Sequence, residues 1–337
     1  MDILEKLIFY RDVHTKTITM GIKKLNSFLL DNCTTDAITR VPLSTLKGKT
    51  VAIDTSIYLY KFLSEDALLE SFYLMLSIFK QYQIIPLFVF DGKPPMEKNE
   101  VLWERIYKRK DAEEKYKEIL HNIETQKDIS EMEKQKQIEK LAGLKRQFVR
   151  VTENHIQTLK QLFTNLGIAY IDATSEADIV CAYLVKTGVA YACVSDDMDM
   201  FVYDCPIVIR KLSLVHHNCL LYNVSLIKKE LQIEKHFPQV ILMCGTDYKT
   251  DISWDIQTAI ERYKFYCSEV SRNQTTRTFY NWVLEHAFIN SIQKEKLDHV
   301  YNMFQIPDSM EIVYGTKKMA WDTLQPLLEN QGFVYVN

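Results

Sequence analysis

Carboxylates dominate the chemistry this sequence could perform. Asp54 follows the apolar run Val51-Ala52-Ile53, Asp91 follows Phe88-Val89-Phe90, Glu176 pairs with Asp178 and Asp197 with Asp199, and Asp247 stands alone. Burying one anion without a partner costs several kcal/mol, so seven converging acids call for compensating cations. Oxygen ligands with no His or Cys at ligand spacing favour Mg²⁺, with Mn²⁺ able to substitute, over zinc. Two such ions about 4 Å apart form a clamp for in-line attack on a phosphodiester. The acids therefore point to metal-dependent phosphodiester hydrolysis.

The elements that must position them follow from periodicity. Residues 49–54 read as a strand and 57–62 as the start of a helix. Residues 84–90 read as a second strand, closed by Asp91-Gly92-Lys93-Pro94-Pro95, which continues neither regular structure. Strands are also expected at 165–171 and 191–194, and helices at 153–166 and 177–187. This alternation predicts an α/β fold with a mostly parallel central sheet and helices on both faces. The carboxyl ends of such strands face the ligand crevice, which is where Asp54, Asp91, Asp197 and Asp199 would meet. Acids at i,i+2 do not face each other on a helix, so Glu176 and Asp178 are expected in a first turn, where exposed amides favour anions. For any one acid, Asp91 above all, a cap or turn role is the plain alternative.

Residues 98–150 differ from the rest, with 14 Lys or Arg against 11 Asp or Glu, one glycine and no proline. Pairs such as Glu113 with Lys117 at i,i+4 make the interval helical and solvent-facing. It reads either as a surface helical hairpin or as an insertion over the crevice that gates a polyanion. The 47% hydrophobic content of the 337 residues supports a sizeable core. No apolar stretch reaches the roughly 20 residues of a membrane span, and residues 1–19 lack the pattern of a secretory signal. Seven scattered cysteines form no disulfide framework, so a soluble protein of a reducing intracellular compartment is expected. His216, His217 and Cys219 lack a second ligand pair and read as ordinary loop or strand packing. The net charge of −3 does not itself advertise nucleic acid, but bound cations would reverse the local field.

Six segments, in order, carry a resemblance to the flap endonuclease (XPG-type) family of structure-specific nucleases. Met20-Gly21-Ile22-Lys23-Lys24-Leu25 resembles the MGI-x-x-L start, Val51 to Ser56 the VAIDAS strand, and Phe90 to Pro95 is the FDGKPP turn unchanged. Ser175-Glu176-Ala177-Asp178 resembles SEAE, Ser195 to Asp199 resembles EDMD, and Cys244 to Tyr248 resembles LGSDY. The resemblance implies a PIN-like nuclease core and places Asp54, Asp91, Glu176 and Asp178 at one metal, with Asp197, Asp199 and Asp247 around a second. It implies that Lys98 and Arg105, seven positions apart on the first helix of an arch, contact the scissile phosphate. Lys108 and Arg109 extend that basic track, Arg150 is a further DNA-binding candidate, and Gly21 is another, close to the active site. Tyr60 matches a tyrosine that stacks on a substrate base, although a core-facing role is open.

The implied division is an extension at 1–19, a nuclease core in 20–97 and 151–248, the helical arch at 98–150, and a helical region at 249–337. The implied partner is DNA with 5′ flaps, nicks, gaps or free 5′ ends, cut by a monomer, with junction resolution or non-catalytic scaffolding as alternatives. Two departures stand out. The glycine hairpin of the family is replaced by Ile252-Ser253-Trp254-Asp255-Ile256, which makes the helix-hairpin-helix degenerate. Lys249, Arg262 and Lys264 are candidate substitutes in gripping the duplex, and Asp251 is either a turn residue or an outer ligand. The chain ends at Asn337 without a clamp-binding box, so sliding-clamp binding is not expected.

Overall fold

The computed structural model describes residues 22, 24–125, 130–248, 250–315 and 321–329. Met20, Gly21, Lys249 and the 1–19 extension lie outside the described residues. The described residues group into two compact units, one comprising those up to Ile53 with Ile78–Ile85 and Asp178–Met310, the other Asp54–Ser77, Pro86–Ala177 and those from Glu311 onward.

The first unit holds helix α1 (Leu25–Asn32) and strands β1 (Ile38–Pro42), β2 (Thr50–Asp54, up to Ile53), β5 (Ala192–Val194), β6 (Ile207–Ser213) and β7 (Asn218–Asn223). Their order is β1-β7-β6-β5-β2. β2 runs parallel to β5, with Ile53 opposite Val194, and β5 runs parallel to β6, whereas β7 is antiparallel to both its neighbours. Val51, Ala52 and Ile53 are all buried, the unbroken apolar run that a parallel strand covered on both faces requires. Helices Val224–Leu231, Phe237–Leu242, Ile256–Ser271, Phe279–Glu285 and Ser291–Met303 also belong to this unit, and Tyr266 packs on Trp282 beside Phe279.

The second unit carries β3 (Ile85–Phe90, from Pro86), β4 (Tyr170–Asp172) and β8 (Tyr314–Gly315), with β3 parallel to β4 and β8 antiparallel to it. Phe88 stacks on Phe163 at 4.2 Å, and Phe72 meets both edge-on. The strand expected at 165–171 is shorter, because helix Glu153–Leu166 runs through Asn165 and ends where Gly167 takes φ 69°. That helix is started by a reciprocal Thr152–His155 cap. The charged interval forms two helices, Asn99–Thr125 and Glu131–Phe148, which pack through Tyr116 on Phe148 at 5.2 Å.

Among the described residues no helix is long and apolar enough to cross a membrane, and none of the seven cysteines is in a disulfide. His217 stands in the turn between β6 and β7 at φ 48°, its Nδ1 2.8 Å from the Tyr82 hydroxyl, and Cys219 is buried in β7 with its thiol pushed up to about 11 by burial. This is the packing reading of that cluster.

Candidate metal and phosphate site

In the second unit, Asp54 ends a strand, is 6% exposed, and caps helix Thr55–Ser64 by accepting the Ser56 amide at 3.0 Å. The Ser56 hydroxyl donates to Asp91, whose other oxygen accepts the Ala177 amide at 2.7 Å. Asp91 thereby ties the start of one helix to the start of the next acidic helix. Capping does not exclude ligation, since a carboxylate offers about four lone-pair sites.

Gly92 makes the Asp91 turn possible. A Cβ there would collide with the Ala173 carbonyl oxygen and stand 2.6 Å from the Thr174 carbonyl carbon, both backbone, while the Gly92 amide already donates to Ser175 at 2.5 Å. Gly92→Ala must therefore move a main chain, and about 3 kcal/mol of stability should be lost. Urea unfolding checks this, and a midpoint equal to that of the parent chain refutes it.

Lys98 donates to Glu176 at 2.5 Å, with the two side chains 13% and 17% exposed. Glu176 precedes helix Ala177–Lys186 and Asp178 lies in its first turn, so only the second acid occupies the turn where both were expected. Lys98 also differs from expectation. It closes a 3₁₀ turn, Met96–Lys98, its amide donating to the Pro95 carbonyl at 3.1 Å, directly ahead of the helix that holds Arg105. Lys98 and Arg105 therefore do not share one regular helix.

Arg105 is partly buried, Lys108 is exposed, and Arg109 lies 5.6 Å from the Tyr60 ring centre. Tyr60 is 41% exposed, whereas Tyr58, Leu59 and Phe62 are buried, which removes the core-facing alternative for Tyr60. Arg150 is exposed and pairs with Glu113 at 3.1 Å.

In the first unit, Asp197 and Asp199 are 7% and 2% exposed. The loop after β5 is fixed by one bond to the neighbouring strand and two local ones: the Ser195 amide donates to Ile209, the Asp197 amide to the Ser195 hydroxyl, and the Asp199 amide to Asp197 at 2.9 Å. Arg210, 6% exposed on β6, donates to the Asp196 carbonyl at 2.6 Å and to Asn26, which also accepts the Tyr222 hydroxyl at 2.8 Å. Sequence reading missed this clamp on the acidic loop. Its signal was a cation within the apolar run Ile207-Val208-Ile209 to Leu212.

Asp247 is partly buried in the bend after Gly245, which adopts φ 90°. Asp251 pairs with Lys296 and gives its carbonyl to Gln293 at 3.0 Å, the turn role. Arg262 lies against Trp254 and Phe288, and Lys264 is exposed.

Among the described residues no group of three or more His, Cys, Asp or Glu stands close enough to hold a metal. The donor chemistry nevertheless fits a hard cation: every candidate ligand is a carboxylate, and Glu176 already holds a cation in the Lys98 ammonium.

An α/β core whose strands run into carboxylates, with a helical pair inserted between β3 and β4, is the PIN-like nuclease fold. The XPG N-terminal domain matches residues 20–112 and the XPG I-region residues 167–247. Flap endonuclease 1 of Mycosarcoma maydis is 33% identical over 250 residues, 68% of this chain and 63% of that protein. Flap endonuclease 1 of Uncinocarpus reesii is 32% identical over 246 residues, 68% of this chain and 56% of that protein. The match thus spans less than two thirds of these relatives. The catalytic core of Rad2, solved in complex with DNA substrate, superposes with a TM-score of 0.60 at 21% identity, covering 93% of this chain and 95% of that one. The chain belongs to the XPG family, which includes the flap endonucleases.

Proposed function

We propose that this chain is a metal-dependent, structure-specific 5′ nuclease that hydrolyses DNA phosphodiesters at single-strand to double-strand junctions. It acts in this reading as a monomeric 5′ flap endonuclease and 5′ exonuclease in DNA replication, repair or recombination. The supporting observation is a set of buried carboxylates, Asp54, Asp197 and Asp199, that follow strands in a chain of the XPG family. Asp54, Asp91, Glu176 and Asp178 would hold one Mg²⁺, and Asp197, Asp199 and Asp247 a second. Magnesium, when bound, supplies Lewis acidity toward the attacking water and the leaving oxygen.

The rest is the work of side chains. Lys98 and Arg105 offset the charge that develops on the phosphate, Arg105 as a planar fork and Lys98 as a point charge. Lys98 must exchange Glu176 for phosphate in doing so, and the metal would take over the neutralisation of Glu176. Lys108 and Arg109 track the backbone, and exposed Tyr60 offers a face to a base.

The test is the purified chain with Mg²⁺, offered a 5′ flap, a nick, a gapped duplex and a four-way junction at equal concentration. Fastest cleavage of the 5′ flap is expected. Preference for the four-way junction would reassign it as a resolvase, and cleavage of none would make it a non-catalytic scaffold.

A further inference from the structure

The parallel strands β2, β5 and β6 all begin at one open hollow of about 450 Å³. Lys49 and Thr50 enter β2 there, Tyr191 precedes β5, and Pro206 and Ile207 open β6. Asp197 and Asp199 follow the opposite end of β5, so the hollow is no part of the acidic site. Its walls are apolar, with Val185, Val189, Pro206 and Ile207 beside the Tyr191 ring. Val189 is 47% exposed, and Ile85, whose amide donates to the Lys49 carbonyl at 2.9 Å, continues the apolar surface at 53% exposed. Two turns leave the rim open: Gly48 and Gly188 take φ 71° and 76°, and a Cβ on either would meet nothing within 4 Å.

The charge around the hollow has one sign. Among the described residues that line it, Lys49 alone is charged, its ammonium 4.9 Å from the Tyr191 ring centre. Lys47 adjoins Gly48 and Lys186 adjoins Val185, and all three lysines are exposed and make no ion pair among the described residues. Asp204, two residues before Pro206, is already matched by Lys228 at 2.8 Å. Single exposed apolar side chains are ordinary, but a concave apolar group ringed by unmatched cations marks an interaction site. Nucleic acid is the poorer match, because Lys49 lies over the one aromatic ring of the hollow, and Val189 and Ile85 offer no face on which bases stack. We infer that the hollow docks a protein segment that carries an apolar side chain between acidic ones. The apolar group seats against Val185, Val189 and Ile207, and the carboxylates meet Lys47, Lys49 and Lys186. This docking recruits a partner and does not depend on the nuclease reading.

The test mixes the full chain with a short fluorescein-labelled peptide, a Leu-Phe pair between runs of Asp and Glu, and reads anisotropy. Saturable binding is expected, weaker at higher salt because the lysines are exposed. Exchanging the Leu-Phe pair of the peptide for Ser-Ser should weaken it by about tenfold or more. Val189→Asp, which sets a carboxylate on the apolar wall, should weaken binding of the original peptide by about tenfold, and Lys49→Glu should do the same. Both positions are exposed and remote from the acids at the far end of β5, so urea midpoints and the rate of 5′ flap cleavage should stay parental in both variants. Parent-like peptide affinity in the two variants overturns the inference, as does an absence of saturable binding or equal affinity for the Ser-Ser peptide. Excess unlabelled duplex DNA should leave the peptide in place. Displacement by DNA would put the peptide on a nucleic-acid surface and would equally overturn the docking.

Discussion

Asp199→Asn should abolish Mg²⁺-dependent cleavage while leaving DNA binding measurable, and Asp197→Asn should do the same. Each exchange keeps volume and removes one negative charge from a residue almost closed to water. Loss of a group that merely orients a metal ligand costs about 10- to 100-fold, so loss of a ligand should cost more than about a hundredfold in single-turnover rate. Structure should survive in Asp197→Asn, because the side-chain carbonyl oxygen of the new amide can still accept the Asp199 amide that Asp197 accepts at 2.9 Å. Single-turnover kinetics at saturating DNA, beside an isotherm of Mg²⁺ binding, check both parts. A cleavage rate within a fewfold of the parent, or unchanged Mg²⁺ affinity, would remove these acids from the metal site.

Lys98→Ala carries the second large effect. If Lys98 meets the phosphate in the transition state, its loss should lower single-turnover rate by about 10²- to 10³-fold, the scale of removing one preorganised donor. A merely structural Lys98 makes a different forecast. It neutralises Glu176 at 2.5 Å in a site where both side chains are less than a fifth exposed, so its loss would leave an acid poorly solvated and lower stability. Stability and folded-state rate measured on the same Lys98→Ala protein separate the two. A rate lost by that factor with the urea midpoint little changed is the expected result. A lowered midpoint with a folded-state cleavage rate within a fewfold of the parent would make Lys98 a structural partner only. Arg105→Ala should lose rate by a similar factor, read in the same assay.

Asp54 and Asp91 were legible as candidates because each stands where an apolar run stops, a boundary that is a local property of sequence. β2 at Thr50–Asp54 and β3 at Ile85–Phe90 fall within a residue of the expected strands for the same reason. The strand expected from residue 165 was shortened by a helix cap at Gly167, which competes locally with strand propensity. Strands β1, β6, β7 and β8 escaped the sequence reading: Arg210 and Lys211 interrupt β6, the apolar stretch of β7 is only Cys219 to Tyr222, and β8 is only two residues long.

Residue types and their order along the chain determined the α/β class, the candidate carboxylates and the family pattern, since each rests on runs of a few residues. Tertiary structure alone decided which partners those residues meet. Lys98 finds Glu176 78 positions away, and Arg210 finds Asn26 184 positions away. It also decided that Tyr60 faces water and that Arg262 is walled by Trp254 and Phe288. Periodicity reports which face of an element is apolar, but not which distant side chain completes a polar group, because that pairing depends on how the folded chain returns to the same place.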